Sequence, residues 1–337
     1  MKTNTKSEEL KSEMRIHCEE VSLSLENFIR EYVEKLERDG VIMGLSGGID
    51  SAVLAALCKR AVGPERTLAL LMPEKDSEKE HIQDALDFGK ELGIETRLIN
   101  ITPYLKKLGI YKFAPLSAIP FSRKLRGLLI TKLIHYYEGR TGEHPFSASM
   151  VGLKGKEFGS FLSHKVAYYR IKHRMRMILL YYHGELENRL VVGAANRTEY
   201  LIGYFVKHGC DDATDIMPLL NLYKTQVREL ARYLNIPSRI IEKPPSPDIL
   251  PGIIDEEVIG IPYEKLDSIL LALEKGWEIG EIAKVLEIEE GKVVYVKKLI
   301  QKSEHMRRLY PGSRRPWPLA VDECVPTLDG RCRPTGA

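Results

Sequence analysis

Gly44-Leu45-Ser46-Gly47-Gly48-Ile49-Asp50-Ser51 is the stretch that decides the fold of this chain of 337 residues. The apolar triplet Val41-Ile42-Met43 stands before it and predicts the end of a buried strand. An apolar run from Ala52 to Cys58 follows it and predicts a buried helix. The sequence therefore predicts a strand, a tight glycine turn and the N-terminus of a helix.

The glycine turn has the properties of an anion-binding loop. Gly47 and Gly48 lack a Cβ, so the backbone can adopt positive φ and approach a ligand closely. The free N–H groups at the start of the helix attract negative charge, and Ser46 and Ser51 add hydroxyl donors. Asp50 places a carboxylate beside the bound anion, where it could hold a divalent cation. We therefore expect the phosphate chain of a nucleotide, bound with magnesium.

Two common phosphate-binding motifs are absent from this stretch. It lacks the Gly-Lys-Ser/Thr ending of the Walker loop and the G-x-G-x-x-G pattern of dinucleotide-binding folds. Its pattern S-G-G-x-D-S instead resembles the pyrophosphate loop (PP-loop) of ATP pyrophosphatases, which cleave ATP between the α and β phosphates and adenylate a substrate.

Further strand patterns alternate with helix patterns along the chain. Strands are predicted at 67–72, 95–101 and 190–194, and a helix capped by Ser77 is predicted to run to Leu92. This βαβ spacing predicts an α/β fold with a doubly wound parallel sheet, extended by helices at both ends. The carboxyl ends of such strands form the binding crevice, where Ser46–Ser51 and Met72 are expected to lie.

Composition excludes several classes of protein. No segment reaches the roughly 20 apolar residues that a membrane helix needs, and residues 1–11 are polar and are expected to be disordered. We therefore expect a cytoplasmic protein. The five cysteines include no C-x-x-C pair, and the histidines His81, His135, His173 and His208 lack ligand spacing. These residues predict neither a disulfide framework nor a zinc site.

A basic segment interrupts the βαβ pattern. Between Leu105 and Arg176 the chain carries 15 Lys plus Arg against 3 Asp plus Glu, although the net charge of the whole chain is only +3. Residues from about 106 to 163 fit poorly into the alternation and predict an insertion or lid. A helix predicted from His164 to Tyr182 continues the basic run and leads back to the strand ends. We interpret this run as a surface for a polyanionic ligand.

The motifs taken together resemble the NAD synthetase family, within the PP-loop ATP pyrophosphatases. The resemblance covers roughly residues 15–104 and 164–312, and it implies one α/β domain over residues 1–312 followed by an irregular tail at 313–337. Its motifs are L-S-G-G-I-D-S-A, V-V-G-A-A-N-R-T-E-Y-L-I-G-Y-F-V-K-H-G, D-I-M-P-L, L-Y-K-T-Q-V-R-E-L-A-R-Y-L, I-I-E-K-P-P-S-P-D and S-E-H-M-R-R.

The resemblance implies a role for individual residues. It implies that Asp50 and Lys224 are catalytic and that Asp50 and Glu199 ligate Mg²⁺. Deamido-NAD would be contacted by Arg174, Lys207, Asp215 and His305. The residues implied to bind ATP are Gly44, Leu45, Ser46, Gly47, Gly48, Ile49, Asp50, Ser51, Met72, Lys224 and Ser246.

The reaction implied by the resemblance is the conversion of deamido-NAD to NAD. The nicotinate carboxylate is adenylated by ATP, and ammonia then displaces AMP from the acyl adenylate. Since one helix precedes the synthetase segment, free ammonia or a separate glutaminase is expected as the nitrogen source. The resemblance also implies a homodimer, and neither a membrane nor a nucleic acid is expected as a partner.

Several positions differ from the residues usual in the family, and most of them are on the acceptor side. They are Arg170, Ala194, Met306 and the turn Gly209-Cys210-Asp211-Asp212. A PP-loop enzyme that adenylates another carboxylate or a tRNA base is therefore the alternative hypothesis, since a tRNA would also use a basic surface. A regulatory protein that binds a nucleotide without catalysis is disfavoured by the combination of Asp50, Glu199 and Lys224.

Overall fold

The computed structural model of the chain describes residues 2–112, 132, 135–151, 159–245, 254–308, 325–326 and 332–333. In this part of the chain, four parallel strands form one sheet in the order β3-β2-β1-β4. The strands are β1 (Gly40–Gly44), β2 (Thr67–Leu71), β3 (Glu95–Leu98) and β4 (Arg189–Val191). The parallel pairing confirms the α/β fold expected from the alternating pattern.

The α-helices of the described residues flank this sheet or extend from it. We call Ile49–Val62 the loop helix, because it begins at the glycine turn, and Gly159–Leu186 the long helix. The others are Lys2–Met14, Cys18–Lys35, Lys79–Leu92, Thr102–Lys107, Pro145–Ser149, Arg197–Ile202, Lys224–Tyr233, Ser238–Ile241, Asp255–Ile259, Tyr263–Glu274, Ile279–Leu286 and Glu290–Arg307. Short 3₁₀ helices lie at Pro64–Arg66, Ile110–Lys112 and Pro218–Asn221.

Side chains that alternate along the strands build two separate cores, one on each face of the sheet. Val41 and Met43 of β1 pack with the loop helix, whereas Ile42 between them packs with Leu180 of the long helix on the opposite face. Strands that are covered on both faces have continuous apolar sequences, because neither face is exposed to solvent. A third apolar cluster is formed by the helices from Tyr263 to Arg307 and includes Leu10 of the first helix.

The strand order reverses direction at β1, and this reversal positions the site. The chain runs from β1 outward to β2 and β3, and it then returns to the other side of β1 as β4. Ligands of such sheets bind in the crevice beyond the strand ends at the point of reversal. The glycine loop follows β1, and the helix that carries Glu199 follows β4, so both reach the same crevice.

Two local predictions were wrong. Residues 1–11 were expected to be disordered, but residues 2–11 belong to the helix Lys2–Met14, whose Leu10 is buried and whose Glu9 pairs with Lys275 at 2.6 Å. Ser77 was expected to cap the next helix, but that helix begins after Glu78. The Ser77 hydroxyl instead accepts a hydrogen bond from the backbone N–H of Glu74 at 3.1 Å. Both differences depend on contacts that a local pattern does not contain.

Residues 143–149 of the predicted insertion contact neighbouring helices. Lys302 pairs with Glu143 and donates to the Ser147 hydroxyl at 3.1 Å. Arg170 of the long helix donates to the Ser149 carbonyl at 3.0 Å. The helix predicted over residues 122–137 lies mostly outside the described residues, and the lid role of the insertion stays a prediction.

The chain divides into a unit of residues Met1–Arg307 and a unit of residues Arg308–Ala337. In the second unit the described residues form a short antiparallel pair, Val325–Pro326 with Cys332–Arg333. The predicted division at residue 312 stays a prediction. Among the helices of the described residues, none combines the length and the apolar character that a membrane span requires.

Candidate active site

A cavity of about 250 Å³ lies at the carboxyl ends of β1, β2 and β4. The loop after β1 contributes Ser46, Gly48 and Asp50, and the helix after β4 contributes Glu199. Lys224 and Lys243 are the lysines that line it, and Met72 and Pro73 come from the end of β2. The convergence of loop amides, carboxylates and lysines in one crevice suits a phosphorylated ligand that binds with a metal ion.

The glycine loop is held in shape by its own hydroxyl groups. The Ser46 N–H donates to the Ser51 hydroxyl at 3.2 Å, and that hydroxyl donates to the Gly48 carbonyl at 3.0 Å. Gly47 has φ of +81°, and a Cβ there would lie 2.3 Å from the His81 carbonyl oxygen. Gly47 therefore needs to be glycine both for its conformation and for the close approach of the next helix.

The backbone N–H groups at the start of the loop helix can bind negative charge. This helix of 14 residues begins at Ile49 and has no side-chain cap at Gly48, so its first N–H groups are left for a ligand. The positive end of the helix dipole adds to the attraction. The loop therefore has the physical properties of the phosphate-binding site predicted from its sequence.

Lys224 joins the two carboxylates that were predicted to bind metal. Its ammonium group lies 2.5 Å from Oδ2 of Asp50 and 3.0 Å from Oε1 of Glu199, and the lysine is almost fully buried. Asn196 donates from Nδ2 to the other oxygen of Asp50 at 2.9 Å. Its Oδ1 accepts from the backbone N–H of Glu199 at 3.0 Å, so Asn196 also caps the helix that carries Glu199.

The charges around Lys224 do not balance. Burial raises the pKa of Glu199 to about 8, and burial also raises the pKa of the nearby Asp255 above its usual value. Burial by itself lowers the pKa of Lys224, but the neighbouring carboxylates outweigh it and raise the value. One ammonium cannot compensate the carboxylates of Asp50, Glu199 and Asp255 together, so the site favours the protonated form of Glu199.

A buried hydrogen-bond network fixes the backbone that carries Lys224. The Thr198 hydroxyl accepts from the Lys224 N–H at 2.9 Å and donates to Asp267 at 2.6 Å. Asp267 also accepts from the N–H and the hydroxyl of Thr225, at 2.9 and 2.8 Å. Burial raises the pKa of Asp267 to about 6. Asp267 thus positions Lys224 through its neighbours without facing the cavity itself.

The structure brings most of the predicted ATP and metal residues together. Those that line the cavity are Gly44, Leu45, Ser46, Gly48, Ile49, Asp50, Ser51, Met72, Glu199 and Lys224. Gly47 lies behind the lining and shapes the loop. Ser246, which was predicted to bind ATP, lies outside the described residues, although the preceding Pro244 and Pro245 line the cavity.

The four predicted acceptor residues lie outside the lining of this cavity, and they separate into two groups. Arg174 donates to the Lys207 carbonyl at 3.2 Å, and Lys207 donates from Nζ to the His305 carbonyl at 2.7 Å. Asp215 instead accepts from the Val191 N–H at 2.9 Å and from the Tyr181 hydroxyl at 3.2 Å. Arg174, Lys207 and His305 thus form one exposed to half-buried surface, whereas Asp215 contacts the end of β4.

Two residues of the charged cluster were not among the predicted site residues. Asn196 is the N-cap of the helix Arg197–Ile202, which follows β4. An asparagine directly before a helix pattern could have identified it from the sequence as an N-cap, although not as a partner of Asp50. Asp255 accepts hydrogen bonds from Tyr204 at 2.9 Å and from Tyr263 at 3.2 Å, and it influences Lys224 electrostatically. Its position depends on the packing of the third cluster, so no local pattern could reveal it.

Comparisons with known proteins identify the family that the chain resembles. A family model described as NAD synthase matches residues 21–115 and 149–310, and it leaves unmatched residues 116–148, which fall within the predicted insertion. The NH₃-dependent NAD⁺ synthetase of Thermotoga maritima is 43% identical over 289 residues, which are 86% of this chain and 97% of the relative.

Two solved structures share the fold over nearly their whole length. The NMN synthetase from Francisella tularensis is 29% identical, with a TM-score of 0.64, and the similarity covers 89% of this chain and 100% of that one. The NH₃-dependent NAD synthetase from Campylobacter jejuni is 27% identical, with a TM-score of 0.63 and the same coverage.

Proposed function

The chain belongs to the NAD synthase family, and we propose that its cavity carries out the ATP-dependent amidation of deamido-NAD to NAD. It is a ligase that forms a C–N bond with ammonia, as its relatives named NH₃-dependent NAD⁺ synthetase support. The observation that carries the assignment to this cavity is the contact of Lys224 with Asp50 and Glu199 beside the glycine loop.

ATP is the co-substrate, and the glycine loop provides its binding groups. The first N–H groups of the loop helix and the hydroxyls of Ser46 and Ser51 would hold its phosphates. The nicotinate carboxylate attacks the α-phosphorus, and the bond to the pyrophosphate oxygen breaks. Lys224 would neutralise the charge that develops on the leaving pyrophosphate. Ammonia then attacks the acyl carbon, loses a proton and displaces AMP.

Asp50 and Glu199 would hold the Mg²⁺ ion that accompanies ATP. Their fit to a hard divalent cation is supported by the excess of carboxylates over ammonium groups around Lys224 and by the raised pKa of Glu199. When bound, Mg²⁺ supplies positive charge to the phosphates. Glu199 would lose its proton at that point, and Lys224 would be free to turn from the carboxylates toward the phosphates.

The acceptor would bind at the surface formed by Arg174, Lys207 and His305. Two cationic side chains on this surface suit a dinucleotide that carries a pyrophosphate of its own. Asp215 is proposed to belong to this site as well, although its described contacts are with Val191 and Tyr181. The insertion is proposed to close over the acceptor, and the basic side chains of the long helix are proposed to bind it.

The protein is proposed to be a homodimer located in the cytoplasm, and to use free ammonia or ammonia from a separate glutaminase. Support for a dimer comes from an apolar stripe on the long helix. Ile178, Tyr182 and Leu186 are spaced four residues apart, so they share one face, and they are 52%, 58% and 66% exposed. We name Ile178, Tyr182 and Leu186 the apolar stripe.

Product analysis by mass spectrometry tests the proposed reaction. The full chain is incubated with ATP, Mg²⁺ and ammonium together with deamido-NAD, nicotinate mononucleotide or no acceptor. NAD, AMP and pyrophosphate should form in equal amounts with deamido-NAD. Preference for the mononucleotide would assign the activity for which the Francisella tularensis enzyme is named, and ATP cleavage only with another carboxylate or a tRNA would replace the proposal.

The residue assignment is tested in the same assay with Asp50→Asn, which removes one proposed metal ligand and keeps the shape of the side chain. Turnover should fall by roughly 100-fold or more, as expected when a group that stabilises transition-state charge is lost. Asp39→Asn, at an exposed carboxylate ahead of β1, serves as the control and should leave turnover unchanged. Full turnover in Asp50→Asn would exclude the proposed metal role.

A further inference from the structure

A cluster of three different metal-ligand types lines the cavity apart from the proposed Mg²⁺ site. His173 lies on the long helix, and Cys210 and Asp211 lie in the turn that follows Lys207. Nδ1 of His173 is 2.7 Å from Oδ2 of Asp211 and 3.5 Å from Sγ of Cys210, and Sγ is 3.5 Å from Oδ1 of Asp211. We propose that His173, Cys210 and Asp211 bind a thiophilic divalent cation, Zn²⁺ above all.

The spacing of the ligand atoms suits a tetrahedral ion. With Zn–S near 2.3 Å and Zn–N or Zn–O near 2.0–2.1 Å, neighbouring ligand atoms of a tetrahedron are separated by about 3.3–3.6 Å. The two separations that involve Sγ, each 3.5 Å, have this length. The pair His173 and Asp211 is at hydrogen-bond distance and would need to open by less than about 1 Å, a shift within the range of side-chain rotation.

The donor set distinguishes this ion from Mg²⁺. Thiolate and imidazole favour Zn²⁺ and similar transition metals, whereas Mg²⁺ takes oxygen ligands almost entirely. Three protein ligands leave a fourth position of the tetrahedron. Because all three ligands line the cavity, water or a nitrogen or oxygen atom of a ligand could occupy that position.

The turn is built to hold Cys210 against the long helix. The Cys210 N–H donates to the His173 carbonyl at 3.2 Å, and the edge of the Tyr169 ring packs on the His173 ring at a centroid distance of 4.6 Å. A Cβ on Gly209 would lie 3.0 Å from the Cβ of His173, so glycine allows the turn to approach this closely. The ligands are therefore positioned by backbone contacts as well as by their own side chains.

The charges of the site agree with a metal ion that replaces protons on its ligands. Burial raises the pKa of the Cys210 thiol well above its usual value, so the thiol is neutral before a metal arrives. Burial by itself raises the pKa of Asp211, but His173 outweighs it and the carboxyl is ionised. A bound cation would replace both the thiol proton of Cys210 and the Nδ1 proton that His173 donates to Asp211. Arg176 adds a positive charge nearby, which the thiolate and the carboxylate together would more than offset.

Cobalt titration of the full chain, purified without an affinity tag, tests the site apart from any enzymatic activity. We expect one Co²⁺ per chain with a thiolate-to-cobalt charge-transfer band, displaced by Zn²⁺ and retained in excess Mg²⁺. Cys210→Ser should abolish the band. Cys18→Ser changes a partly buried thiol outside the cluster and should retain it.

Circular dichroism checks that each variant is folded. If Cys210→Ser does not fold, His173→Asn and Asp211→Asn replace it, and each should weaken Co²⁺ binding by roughly 10-fold or more. Absence of the band in the unaltered protein would overturn the proposal. Persistence of the band in Cys210→Ser, or unchanged affinity in both of the other variants, would also overturn it.

Discussion

Lys224 occupies the position between two carboxylates that a metal ion would share. Its ammonium contacts Asp50 and Glu199 directly, and the carboxylate of Asp255 adds further negative charge. A buried charge is tolerated only when it is paired, and here one cation serves several anions. The site is therefore stable with Lys224 in place, and it has negative charge in excess for an additional cation.

The proton held by Glu199 predicts a pH dependence of stability. Its pKa in the folded protein is about 8, above the usual value of 4.5, so its favourable contribution is complete below pH 4.5 and is lost as the pH rises through 8. We expect the free energy of unfolding without Mg²⁺ to fall across this range, by at most about 1.4 kcal/mol per pH unit from this group. Chemical denaturation at several pH values measures it.

Glu199→Gln should remove this component, because the amide has no proton to lose. Asp39→Asn, at an exposed carboxylate, should retain the slope of the unaltered protein. An identical pH dependence in Glu199→Gln and the unaltered protein would contradict the assignment of the proton to Glu199.

The position of Lys224 predicts competition between its ammonium group and Mg²⁺. Lys224→Met should reduce turnover by roughly 100- to 1,000-fold, because charge on the leaving pyrophosphate would lose its partner. The same variant should bind Mg²⁺ more tightly in the absence of ATP, because the carboxylates would be free of their competitor. Isothermal titration calorimetry measures the affinity. Weaker Mg²⁺ binding in Lys224→Met would contradict the competition.

Lys243→Met is the matched control for that measurement. Lys243 also lines the cavity, but its ammonium pairs with Asp84 on the helix Lys79–Leu92. Its removal should leave the Mg²⁺ affinity unchanged, because neither proposed metal ligand contacts it in the described structure.

At the scale of elements, the turn between β1 and the loop helix depends on one glycine. We expect Gly47→Ala to abolish ATP binding, because the new Cβ would meet the His81 carbonyl oxygen and the loop would have to move. Gly276→Ala is a matched control, since Gly276 has a similar φ of +76° but open space around a Cβ. It should cost only about 1–2 kcal/mol of stability, the cost of positive φ for alanine.

Thermal unfolding and nucleotide binding of both variants separate the cost of positive φ from the steric contact with the His81 carbonyl. Gly47→Ala should lose more stability than Gly276→Ala and should lose ATP affinity as well. Equal loss of stability with ATP affinity retained in both variants would show that the approach of His81 is unimportant.

At the scale of the whole molecule, the apolar stripe predicts the proposed dimer interface. Large apolar side chains that share one exposed face are typical of association surfaces. The double variant Ile178→Asp with Tyr182→Asp should convert the dimer to a monomer, because two carboxylates would be desolvated in the interface. Size-exclusion chromatography with light scattering measures the mass. Leu23→Asp, at another exposed apolar residue, should remain dimeric.

A monomeric mass for the unaltered protein would contradict the dimer itself. A dimeric mass for the double variant, or dissociation by Leu23→Asp, would place the interface on another surface.

Much of this architecture could be predicted from local sequence patterns. The glycine loop predicted its strand and helix because phosphate binding requires backbone conformations that few residues allow. Continuous apolar runs predicted strands buried on both faces, and their βαβ spacing predicted parallel pairing. Asp50, Glu199 and Lys224 were identified from motifs, although they are separated by up to 174 positions in the chain.

By itself the sequence determined the fold class, the family and the glycine turn between strand and helix, because each is encoded in short segments whose chemistry is local. Only the tertiary structure decided that the first helix is ordered, that Asp255 joins the charged cluster and that His173 meets Cys210 and Asp211. These outcomes depend on contacts between residues far apart in the chain. The packing of the helices brings these distant side chains together. The burial that results also changes the pKa values of their carboxyl groups.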